Sequence, residues 1–135
     1  MAPHIAAVSL VVRDYDEAAA WYRDRLGFAI SDADLGGGKR WVTATPPGGG
    51  CALLLARAAD SDQARAIGDQ AGGRVMLFLH TDDFERDHQA MSRAGVRFLE
   101  TPRAEPYGMV AVFEDLYGNR WDLLEPRPAG WRETK

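Results

Sequence analysis

The chain has 135 residues, 46% of them hydrophobic and 27% charged, with a formal net charge of −4. This is one domain's worth of ordinary globular protein, large enough to bury roughly two thirds of its unfolded surface. Its basic residues are scattered rather than clustered, which excludes nucleic acid and an anionic membrane as expected partners. The single cysteine, Cys51, cannot form an internal disulfide, so the cytoplasm is the expected compartment.

The apolar run from Ile5 to Val12 has no basic flank before it and meets Arg13 and Asp14 directly. It is too short for a signal core or a membrane span and reads as a buried strand. Asp14 or Asp16 then caps a helix whose Tyr15, Ala18, Ala19, Tyr22 and Leu26 form one apolar stripe, with Gly27 as the stop. Phe28 to Asp32 and Lys39 to Thr45 read as strands joined by the Gly36-Gly37-Gly38 turn, and a second glycine loop over 46–50 leads into the strand Cys51 to Ala56. The order is βαβββ. Residues 60–70 suit a short helix or turn, closed by Gly72 and Gly73.

The pattern then repeats. Arg74 to His80 reads as a strand, Asp83 to Ala94 as a helix with Phe84, His88 and Met91 on one stripe, and Gly95 as its end. Strands are predicted over Val96 to Glu100, Met109 to Glu114 and Arg120 to Glu125, the last two joined by a turn over 115–119. The expected fold is therefore α+β, a single domain of two βαβββ modules at about 5–57 and 74–126 with a linker at about 58–73. Its eight strands would form two curled mixed sheets, each covered by one helix and leaving its other face toward an open cleft. In the tail after Pro126, Trp131 is expected to dock on a neighbour.

These motifs in this order carry a resemblance. Asp14-Tyr15-Asp16-Glu17-Ala18 with Trp21-Tyr22 and Leu26-Gly27-Phe28, Asp83 with Ala94-Gly95-Val96, and the run from Glu114 through Gly118-Asn119-Arg120-Trp121-Asp122 to Leu123 resemble the vicinal-oxygen-chelate superfamily. That group includes glyoxalase I, extradiol dioxygenases, fosfomycin-resistance enzymes, methylmalonyl-CoA epimerase and bleomycin-binding proteins. The resemblance runs from about residue 5 to 126 and implies paired βαβββ modules and a homodimer.

It also implies where a metal would be held, and the residue types there depart from the family. The first His position, twenty residues before Gly27, is Ala7, and the second, nineteen before Gly95, is Met76. The acidic position, four after Gly118, is Asp122, and the remaining one falls at Leu53 or Leu54. One carboxylate among four positions does not make a metal site, so no metal and no cofactor are expected.

Other residues offer alternatives. His80 shares strand parity with Met76 but lies roughly 13 Å further along, at the rim of the cleft, either as a structural residue or in contact with ligand. His4 reads as a surface residue and His88 as a packing one. Asp122 shares parity with Arg120 and Leu124 and needs a partner if it is buried among apolar groups. It is either an ion-pair partner of Arg120 or a ligand anchor and general acid or base. Trp121 has the opposite parity and belongs to the core. Trp41 and Tyr107 are candidates to line the cleft or to pack, and Ser9, two residues past Ala7, is a candidate hydrogen-bonding group. Two functions stay open: a metal-free small-molecule-binding protein of bleomycin-resistance type, with Ser9, Trp41, Met76, Tyr107 and Arg120 as ligand contacts, or an enzyme acting on a small molecule through Asp122 and His80 or through a rebuilt metal site.

Overall fold

The structure is a computed structural model that describes residues 2–127. The docking expected of Trp131 lies outside the described residues. The chain divides after Gln70 into two compact units.

In the first unit, β1 (Ala7–Val12), β4 (Ala52–Arg57), β3 (Lys39–Thr45) and β2 (Ala29–Gly36) form a sheet in the order β1-β4-β3-β2, with β1 parallel to β4 and the rest antiparallel. Helix α1 (Tyr15–Leu26) begins at Asp14, not Asp16: the Asp14 carboxylate accepts the Glu17 N–H at 2.8 Å. It ends at Gly27, whose φ of 71° is the left-handed conformation that lets the Gly27 N–H reach the Arg23 carbonyl. The helix buries Tyr15, Ala18, Ala19 and Tyr22. The sheet's contribution to the same core comes from Leu10, Val12, Val42, Ala44, Leu53 and Leu55, the alternate positions that one strand face must present. Helix α2 (Ser61–Arg65) follows β4. Beyond it the Gln70 side-chain amide accepts the Val11 N–H at 3.3 Å and donates to the Val11 carbonyl at 3.2 Å, pairing the outer edge of β1.

The second unit orders its strands β5 (Val75–His80), β9 (Arg120–Pro126), β8 (Gly108–Glu114) and β6 (Arg97–Phe98), with β7 (Arg103–Glu105) also on β8. Strand β5 runs parallel to β9, and the other pairs are antiparallel. The strand expected over Val96 to Glu100 shrinks to two residues and a separate β7 follows, so the described residues hold nine strands rather than eight. Pro102 lacks the N–H that a continuous ladder needs. Across the break the Glu100 carboxylate accepts the Val112 N–H at 3.0 Å.

Helix α3 (Phe84–Arg93) is capped at Asp83 and also by Glu125 of β9, whose Oε1 accepts the Phe84 N–H at 2.7 Å. The covered face of the sheet carries Phe113 stacked on Trp121, ring centroids 5.7 Å apart, and Trp121 is buried as its parity requires. His88 sits between the rings of Phe84 and Phe98, at 5.4 and 4.2 Å, which is the packing role read from the helix stripe. Between β7 and β8 the chain turns at Gly108, φ 152°, where a Cβ would lie 2.2 Å from the Glu125 carbonyl oxygen. Asp115 accepts the Tyr117 and Asn119 N–H groups and the Asn119 side-chain amide, so those turn residues are occupied in holding the β8–β9 turn.

Candidate functional site

Strand register fixes which side chains share the face of each sheet that points away from its helix. In the second unit Phe78, Asp122 and Val112 lie in one row across β5, β9 and β8. His80, Leu124, Val110 and Arg103 form the next row. Arg120 occupies the row on the other side with Val75, Glu114 and Arg97, and the last two form an ion pair at 3.3 Å. Asp122, Arg120 and Leu124 thus share one face, as parity predicts.

Asp122 is the buried acid of this face, 9% exposed, and its Oδ1 has no hydrogen-bond partner among the described residues. Burial pushes its carboxyl above the ordinary Asp range, the Arg103 guanidinium pulls it back, and the Glu100 carboxylate adds to the rise. The cation that acts on it is therefore Arg103. Arg120 does not pair with Asp122, because it stands exposed at the neighbouring row, level with Glu114. Arg103 is itself committed: Nε donates to Glu100 Oε2 and Nη1 to Glu105 Oε1, both at 3.0 Å. Hydrogen bonds to Glu105, Tyr107 and Glu100, in that order, raise its pKa still further. Tyr107 lies in the turn between β7 and β8, and its contact with Arg103 brings it to the same cluster.

On β5 the register with β9 slips between Val75 and Leu77, so Met76 sits at an irregularity where the paired row is interrupted. Phe78, two residues on and directly across from Asp122, is 61% exposed. His80 is also exposed, one row beyond Asp122 on the adjacent strand. Sequence reasoning missed Phe78, Glu100, Arg103 and Glu105. The available signal was the spacing of Glu100, Arg103 and Glu105: residues 103 and 105 share a strand face, and Glu100 is within side-chain reach of that arginine.

The first unit supplies a different surface. Ser9 of β1 is in register with Leu54, Leu54 with Thr43 and Thr43 with Ser31, forming a row on the side away from α1. The family's fourth position is therefore Leu54 on the uncovered face, since Leu53 is buried under α1. Ala7 pairs with Ala52 on the same side as Ser9. Trp41 is 48% exposed and shares the parity of Thr43. Among the described residues no group of three or more His, Cys, Asp or Glu side chains gathers to hold a metal ion, and no helix is long and apolar enough to cross a membrane.

Comparison with known proteins agrees with this architecture. The chain is 51% identical over 128 residues to an uncharacterized protein of Shewanella frigidimarina (strain NCIMB 400), covering 93% of this chain and 95% of the relative. It is 30% identical to the uncharacterized protein YurT of Bacillus subtilis (strain 168), covering 90% and 98%. Among solved structures it is similar to UcmS2, with a TM-score of 0.79 and 27% identity over 93% of this chain and 99% of that one. It is also similar to TnmS3, an antibiotic binding protein from Streptomyces sp. CB03234, with a TM-score of 0.75 and 27% identity over 93% and 98%. The family model for the Glyoxalase/Bleomycin resistance protein/Dioxygenase superfamily matches residues 3–123. With the α+β strand and helix order already described, this match means that the chain belongs to that superfamily.

Proposed function

We propose that the chain is a small-molecule-binding protein of bleomycin-resistance type, with its ligand seated on the face of the second sheet away from α3, around Asp122 and Phe78. The observation that carries this reading is a nine-tenths buried carboxyl whose Oδ1 has neither a protein partner nor access to solvent. A group left unsatisfied in this way is unfavourable by roughly 1–3 kcal/mol, a penalty that a ligand donor would remove once the carboxyl turns to meet it. The solved structure of TnmS3, described as an antibiotic binding protein, supports the same class of function. In this reading Met76, Tyr107 and Arg120 border the seat on the second unit, while Ser9 and Trp41 are candidate contacts on the first unit's own sheet face.

The metal of the wider family does not fit these residues. The first unit offers Ala7 and Leu54 at the family positions, and the second offers Met76 and Asp122. Only the last can ligate a hard or borderline cation. The reading is therefore metal-free and without cofactor. It has the protein act as a homodimer, supported by the exposed Ile5 and Val8, and in the cytoplasm, supported by the lone Cys51.

A second reading has one observation in its favour. Asp122 and His80 lie on one face of adjacent strands, one row apart, and burial raises the Asp122 carboxyl toward the range of a general acid. That arrangement would serve a proton transfer on a small molecule. The test is a screen of natural-product antibiotics by native mass spectrometry and calorimetry against the protein and Asp122→Asn. Stoichiometric binding that weakens at least several-fold in Asp122→Asn, with the compound recovered unchanged, supports the binding protein. Recovery of a converted product that disappears in His80→Gln supports the enzyme.

A further inference from the structure

The charge balance and the aromatic neighbour of Asp122 narrow the class of ligand, and this step rests on the binding reading above. Asp122, Glu100 and Glu105 place three carboxylates around one guanidinium, Arg103. Arg103 is hydrogen-bonded to Glu100, Glu105 and Tyr107, and among the described residues Asp122 Oδ1 takes its field but no hydrogen bond from it. The local surplus is negative. A ligand anion would meet that surplus, and a purely apolar ligand would leave Oδ1 as unsatisfied as before. Directly across β5 from Asp122, the Phe78 ring is 61% exposed, an unusual degree for a large apolar side chain next to a buried acid. A π face and a carboxylate side by side form the pairing that recognises an organic ammonium group: the ring quadrupole attracts the cation, and the carboxylate takes its N–H hydrogen bond.

We propose that the Asp122–Phe78 row binds the protonated amine of an organic ligand, seating the ammonium between the Asp122 carboxylate and the Phe78 ring. Neutral hydrogen-bond donors of the same shape bind less well, and carboxylates least, because Glu100 and Glu105 repel them. Phe78 then acts as a specificity residue and Asp122 as the anchor.

The test uses three matched probes, 2-phenylethylammonium, 2-phenylethanol and phenylacetate, titrated to millimolar concentration into isotope-labelled protein and followed by amide chemical shifts. The ammonium is expected to shift the signals of 77–79 and 121–123 and to bind about tenfold more tightly than the alcohol, with phenylacetate weaker still. Asp122→Asn should abolish the difference between ammonium and alcohol. Phe78→Leu, which keeps an apolar side chain on the strand, should weaken the ammonium several-fold. Equal or tighter binding of the alcohol or phenylacetate at the same residues overturns the cation inference and leaves the site standing. If none of the three probes shifts those residues, the seat itself is lost and the inference with it.

Discussion

Glu100 Oε2 accepts the backbone N–H of Val112 at 3.0 Å and the Nε–H of Arg103 at the same distance. One carboxylate oxygen thereby fills the gap in the β8 ladder between β6 and β7 and fixes the arginine whose field reaches Asp122. A structural repair and a feature of the candidate site are the same atom.

Glu100→Ala should strip the Val112 N–H and Arg103 of a partner at once and lower stability by roughly 1–3 kcal/mol. Glu100→Gln keeps an acceptor for Val112 and should lose less than half of that. Urea unfolding of the two variants measures the difference, and equal losses would mean that the Val112 contact contributes nothing.

The pH dependence of Asp122 has a definite sign. Its folded pKa lies above the ordinary value, chiefly through burial, so the folded state holds its proton more tightly than the unfolded state. Its contribution is most favourable below the unfolded pKa and is lost as pH rises through the folded one. Asp122→Asn removes that loss. The variant should melt with the parent in acid below the ordinary Asp pKa and above it near neutrality, with the gap opening as pH rises. A variant that melts lower than the parent at neutral pH would show that the carboxylate is satisfied after all.

Gly108 admits no side chain. A Cβ there would stand 2.2 Å from the Glu125 carbonyl oxygen, on backbone that cannot easily retreat, and φ is 152°. Gly108→Ala should destabilise by about 2–4 kcal/mol. Gly48→Ala, where nothing lies within 4 Å of the added carbon and φ is not positive, should change stability by less than about 0.5 kcal/mol. Thermal unfolding of the pair provides the comparison.

Zinc, nickel or manganese at micromolar concentration should leave the melting temperature of tag-free protein unchanged, since a single carboxylate gives little binding and hence little linkage. A saturable rise in any of the three would show that other side chains complete a metal site.

The sequence made the α+β order of strands and helices legible because its signals are local: apolar stripes at helical spacing, an Asp before α1 and α3, a glycine after each of them. Parity along β9 was enough to separate Asp122 from Trp121. It could not reveal that Arg103 rather than Arg120 acts on Asp122, because Glu100 and Arg103 meet that strand only through the break between β6 and β7. Pro102 marks the break, but the reach of Glu100 back to Val112 spans twelve positions and has no local signature. Phe78 likewise reads as one more core residue in an apolar run. Only the register with β9 shows that it is exposed and opposite the acid.

The amide of Gln70 also bears on the open edge of β1. Strand β1 is the outer strand of its sheet, an invitation to any passing extended segment. At Val11 that invitation is already withdrawn, because both outward groups are held by a side chain of the same molecule. An invading strand would have to evict an intramolecular partner present at far higher effective concentration. Gln70 thus closes the edge of β1 at Val11 to an added strand, and Gln70→Ala should reopen it.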